Sequence, residues 1–105
     1  MLKRLYRLPA KSRPVDAYVY HGKFFILKKS STTLPFSRFG FVISKKVAQL
    51  AVDRNRSKRL IRSVVERFFL EIKPSDYLFI IKQNLSGIRN DDVEKELKKA
   101  LGLNQ

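Results

Sequence analysis

Within the ten residues Asp53-Arg54-Asn55-Arg56-Ser57-Lys58-Arg59-Leu60-Ile61-Arg62 stand five cations and one carboxamide, with a single carboxylate at the start. Arg offers a planar fork matched to phosphate oxygens and Lys a mobile point charge. Asn55 can donate to a phosphate or a base while accepting from a 2′-hydroxyl. The chemistry open to such a set is recognition of a phosphate backbone, not the making or breaking of bonds. A charge run on a helix is ordinarily a solvated face, but such faces mix their signs. Between Arg54 and Arg62 there is no acid to form i,i+4 pairs. Cations near a helix N-terminus also oppose the macrodipole, by about 0.3–1 kcal/mol each when exposed. A bound phosphate relieves both costs.

A helix must present these groups. At about 100° per residue, Asn55, Lys58, Arg59 and Arg62 share one arc, while Leu60, Ile61, Val64, Val65, Phe68, Phe69 and Ile72 fill the other side. Asp53 is the expected N-cap, the helix is expected to reach about Ile72, and Pro74 stops it. Upstream, Lys23–Lys28 and the alternating run Arg38–Ser44 read as strands, expected to pair as a hairpin. The Lys45–Val52 link has room for a short further strand. A short helix is expected over Val15–Tyr20, after Pro9 and Pro14 and before Gly22. Tyr77–Ile81, apolar on both faces, predicts a central or doubly covered strand. Asn84–Gly87 is a turn, and Asp91–Leu101, with Val93, Leu97 and Leu101 spaced by four, closes the chain as an amphipathic helix. The order α-β-β-(β)-α-β-α places the chain among α/β (α+β) folds, with helices on a mixed sheet. One domain is expected over residues 1–105, with residues 1–14 as a basic N-terminal segment.

The formal charge is +14. Residues 1–62 hold 16 Lys and Arg against Asp16 and Asp53, whereas residues 63–105 hold seven of each sign. A solubility device would be spread along the chain, so this placement favours a polyanion-binding surface. The chain has no cysteine, which excludes disulfides and thiolate metal sites. The only histidine, His21, has no partners at metal-ligand spacing, and Asp91-Asp92 suits a helix N-terminus, so neither a metal site nor a catalytic residue is expected. Residues Met1 to Arg13 lack a signal-peptide core, and the apolar runs are too short to span a bilayer; no membrane contact and a cytoplasmic location are expected.

Taken in order, Ser44-Lys45-Lys46, Ala51-Val52, Arg54-Asn55-Arg56-x-Lys58-Arg59-x-x-Arg62 and Asp76-Tyr77 opening an apolar strand resemble the bacterial ribonuclease P protein subunits. The resemblance implies the ribosomal protein S5 domain 2-like fold with a left-handed crossover. It also implies an accessory to a catalytic RNA that removes the 5′ leader of precursor tRNA. On that resemblance Arg54, Asn55, Arg56, Lys58, Arg59 and Arg62 would contact the ribonuclease P RNA, and Lys45, Lys46, Tyr18, Tyr20, Phe39 and Lys82 would lie toward the leader. The Mg²⁺ of the reaction would be bound mainly by the RNA, which is required, and no obligate protein partner is implied. The chain departs from the family at Val15-Asp16-Ala17-Tyr18-Val19-Tyr20, where valines stand in the positions of leader-facing rings, and at Lys82, usually Arg.

The residues leave rivals open. A small ribosomal protein binding rRNA would share size and charge, but has no need of the Ser-Lys-Lys to Arg-Asn-Arg arrangement. A protein-only nuclease needs clustered carboxylates or histidines. DNA binding by the long helix conflicts with that helix spending its other side in the core.

Overall fold

The computed structural model describes residues 6–8 and 18–103. Four strands, β1 (Tyr18–His21), β2 (Phe25–Ser30), β3 (Arg38–Val42) and β4 (Asp76–Ile81), form one sheet in the order β1-β2-β4-β3. Helix α1 (Ala51–Arg67) connects β3 to β4, and α2 (Asn90–Leu101) follows β4. β1 and β2 run antiparallel, as do β2 and β4, whereas β3 lies parallel to β4. The small α+β architecture with a mixed sheet agrees with the sequence expectation.

The core lies between one sheet face and the two helices. Phe25, Leu27, Phe39, Tyr77, Phe79 and Ile81 meet Ile61, Val64 and Val65 of α1 and Val93, Leu97 and Ala100 of α2. Phe79 takes Phe25 edge-on at 5.2 Å and Phe41 in a stack at 5.5 Å, while Phe39 stacks on Tyr77 at 5.2 Å. Arg38 and Asp76 oppose one another where β3 and β4 begin, and the guanidinium donates to both carboxylate oxygens at 3.0 and 2.8 Å.

Several local expectations are corrected. Tyr18–Tyr20 are strand, not helix, because β1 finds a complete antiparallel partner in β2; residues 15–17 lie outside the described residues. β2 and β3 do not form a hairpin. β4 is the most apolar strand and sits between them, where both its edges are paired. The link after β3 contains a turn and then helix, with no strand. Helix α1 begins two residues before Asp53, capped by the extended backbone of Leu50. It stops at Arg67, short of Ile72, because the two following rings part. Phe68 lies under Arg67 and Lys98, whereas Phe69 turns to Tyr6 at 4.7 Å and Phe39 at 6.0 Å. A 3-10 turn over Phe69–Glu71 accommodates this.

Phe39, expected toward the leader, is 1 % exposed and belongs to the core. Phe39→Ala should therefore cost about 3–5 kcal/mol of folding free energy, measured as a lowered midpoint in urea. Unchanged stability would contradict this placement.

Candidate nucleic-acid interface

The polar letters of the basic motif divide between holding the fold and facing outward. Arg54 lies in the first turn of α1 and reaches back, its Nη1 donating to the carbonyls of Ala48 at 2.9 Å and Gln49 at 2.8 Å. That contact offsets the poor placement of a cation in a first helical turn. Asp53 accepts from the Asn84 amide at 3.2 Å. Ser57 is fully buried; its hydroxyl donates to the Asp53 carbonyl at 2.8 Å and accepts the Leu85 backbone N–H at 2.9 Å. Ser57 thus fastens the segment after β4 to the side of α1 that also carries Ile61, Val64 and Val65.

Asn55, Arg56 and Arg59 are exposed, and Lys58 and Arg62 are half-buried. Lys58 and Arg62 lean toward β3, where they line a cavity of about 150 Å³ with Arg7, Leu8, Phe39, Gly40 and Phe41. The Arg62 guanidinium sits 5.4 Å from the centre of the Phe41 ring. On the opposite flank Arg56 and Arg59 line a groove of about 340 Å³ with Leu60, Leu85, Ile88 and Asn90. The cations of α1 therefore form a band from the β3 edge, over the helix crest, to the segment before α2. A band of this kind can neutralise successive phosphates without reading bases.

The residues expected toward the leader do not form one cluster. Lys45 and Lys46 are exposed in the turn after β3, which Arg54 ties to the start of α1, so they extend the basic band. Tyr18 and Tyr20 belong to β1, at the opposite edge of the sheet from β3. Tyr18 is 54 % exposed and Tyr20 half-buried. Burial, then the Glu96 carboxylate, then Tyr18, push the Tyr20 phenol above its ordinary value. The ammonium of Lys82 donates to the Gly22 carbonyl at 2.9 Å, joining the end of β4 to the β1–β2 turn.

That turn is also held from α2, by a residue the sequence pattern does not single out. Glu96 is 8 % exposed, and its carboxylate accepts the Phe24 N–H at 3.0 and 3.1 Å. A side chain on Gly22 would overlap that carboxylate, so the glycine is required by close approach. The available signal was positional. Glu96 falls beside Val93, Leu97 and Ala100 on the inner side of α2, as Ser57 falls beside Ile61 and Val64 on α1. Ser57→Ala should lower stability by about 1–3 kcal/mol, since it strands the buried Leu85 N–H, while leaving every cation in place. Thermal unfolding with parallel RNA-binding titrations checks this; lost affinity at unchanged stability would contradict it.

No helix among the described residues is long and apolar enough to cross a membrane. A mixed four-stranded sheet with a cation-banded helix crossing between parallel neighbours defines a small basic α+β protein. The family model of ribonuclease P matches residues 16–103. A Ribonuclease P protein component from Lactococcus lactis subsp. lactis is 30 % identical, the match covering 99 % of this chain and 92 % of the relative. One from Dehalococcoides mccartyi is 34 % identical over 79 % of this chain and 68 % of its own length. Among solved structures, the RNase P protein of Thermotoga maritima superposes with a TM-score of 0.73 at 24 % identity, covering 82 % of each chain. That of Staphylococcus aureus gives 0.72 at 23 %, covering 82 % of this chain and 79 % of that one. The chain belongs to the ribonuclease P family, as a protein component of that tRNA-processing ribonuclease.

Proposed function

We propose that this chain binds the catalytic RNA of ribonuclease P through the outer band of α1 and helps it hold the single-stranded 5′ leader of precursor tRNA. The observation that carries the reading is the division of α1. Ser57, Ile61, Val64 and Val65 are buried, while Asn55, Arg56, Lys58, Arg59 and Arg62 remain at the surface on both flanks. Two RNA molecules brought together repel along their backbones, and a cation band between them reduces that repulsion. Lys45 and Lys46 continue the band toward the leader. Tyr18, exposed on β1, and Tyr20 offer rings for unpaired bases, each stack worth about 1–3 kcal/mol. Lys82 holds the turn beside Tyr20.

The RNA carries out phosphodiester hydrolysis in this reading, and the protein supplies positioning and charge. Among the described residues no group of three or more His, Cys, Asp or Glu is placed to hold a metal ion. In this reading the Mg²⁺ of the reaction is held mainly by the RNA.

Reconstitution tests the proposal. Purified chain added to a bacterial ribonuclease P RNA at low Mg²⁺ should raise the rate of precursor tRNA cleavage; no stimulation would overturn the reading, and cleavage without RNA would move catalysis to the protein. Arg59→Ala should weaken RNA binding and shrink the slope of log affinity against log salt by about one unit or less per lost phosphate contact. An unchanged slope would mean that this face of α1 points away from the RNA.

A further inference from the structure

The segment Tyr6–Leu8 runs along the free edge of β3. Arg7 forms a parallel bridge with Phe39, and the Leu8 N–H donates to the Phe39 carbonyl at 2.7 Å. Leu8 is 8 % exposed and packs over Gly40, where a Cβ would stand 3.4 Å from two Leu8 atoms and 3.1 Å from Leu78. On the other side of Arg7, the Tyr6 ring contacts Phe69 at 4.7 Å and Phe36 edge-on at 5.4 Å. Arg7 is therefore held between two anchored neighbours, and its position is set by the sheet and by the aromatic cluster of Tyr6, Phe36 and Phe69.

We infer that Arg7, Lys58 and Arg62 form one seat for a phosphodiester of the bound RNA, with Tyr6 as the residue that positions Arg7 in it. This rests on the reading of α1 as an RNA-binding surface. Among the described residues, the three cations line one cavity of about 150 Å³ together with Leu8, Phe39, Gly40 and Phe41. A space of that size is large enough to admit one phosphate group. Each side chain reaches it differently. Lys58 and Arg62 are one helical turn apart on α1, and Arg7 comes from a separate strand-like arm. Arg62 is further fixed by the face of the Phe41 ring. A phosphate in this cavity accepts charge-assisted hydrogen bonds from cations of two elements, α1 and the arm. Gly40 completes the arrangement, because a side chain there would press on Leu8 and lift the arm.

The test compares affinities for a ribonuclease P RNA, with thermal unfolding measured in parallel. Arg7→Ala should lower affinity about tenfold, the scale of one charge-assisted hydrogen bond. Lys73→Ala, which removes one cation outside the basic half, serves as the control for general charge. A loss for Arg7→Ala under about threefold, or one equal to the control's, would overturn the seat while wild-type binding leaves the parent reading intact. Absence of salt-dependent binding by the wild type would overturn both. Tyr6→Phe should bind as the wild type does. Tyr6→Ala should lose affinity in the wild-type background and nothing further in the Arg7→Ala background; additive losses would overturn the positioning role, since general destabilisation costs the same in either background.

Discussion

A strand whose side chains are apolar on both faces loses free energy wherever either face meets water, and Tyr77–Ile81 is such a strand. Seating it between β2 and β3 pairs both its edges and brings each face under cover, and the rest of the topology follows. β3 then lies along the edge of β4 that β2 leaves free, and it runs parallel to β4. Parallel neighbours cannot be joined by a tight turn, so the chain between them has to travel the length of the sheet and return. That return path is α1. The helix that carries the basic motif is thus the crossover demanded by the sheet, and its outward face is set by whichever residues the sheet does not claim.

The electrostatics are arranged around the same helix. Arg38 is drawn out of the basic half by Asp76, whose hydrogen bond holds the guanidinium above its ordinary pKa, and that pair fastens the start of the parallel ladder. Arg54 is drawn in by two carbonyls at the entrance of α1. At the end of the helix, Arg67 pairs with Glu94 and so joins α1 to α2, while Lys98 approaches the same carboxylate from within α2. The cations at the two ends of α1 therefore serve the fold, whereas those in its middle, from Arg56 to Arg62, are presented along its two flanks. Within a single run of charge, position along the helix separates the cations that hold the fold from those left at the surface.

Where a local pattern decided the outcome, the sequence was readable. The spacing of Val93 and Leu97 placed α2 to within a residue at its start, and the two-sided apolarity of Tyr77–Ile81 announced a central strand. The helical phase of Ile61, Val64 and Val65 identified the inner side of α1. The hairpin expectation failed because adjacency in sequence competes with burial of a later strand, which no local window contains. The end of α1 failed for a similar reason: Phe68 and Phe69 suit a helix by periodicity, yet each has a better tertiary partner outside it. Asp53 has the composition of an N-cap, but Asn84 and the Leu50 backbone, distant or featureless in sequence, decide its role. Ser57 and Glu96 were hidden by their polarity, since a wheel drawn for apolar residues passes over a buried group whose partner is a backbone N–H.

The period of a strand also fixes which rings can meet an unpaired base. Phe39 and Phe41 point to the helix side of the sheet, so Arg38, Gly40 and Val42 occupy the other, and the cross-strand row through Gly40 continues as Leu78, Lys28 and Val19. That row contains no aromatic residue. Leu8 covers its Gly40 end, and Val19, 40 % exposed, marks its outer end on β1. A base approaching this face finds aliphatic surface and one lysine, whereas the exposed rings belong to β1, at the sheet edge farthest from β3. A single strand engaging both Lys45 and Tyr18 must therefore cross the width of the sheet, three interstrand spacings of about 4.8 Å each. The row through Tyr18 meets β3 at Phe39, six residues before Lys45, so such a strand must also run along the sheet, and the separation of these residues is a matter of path length along one strand.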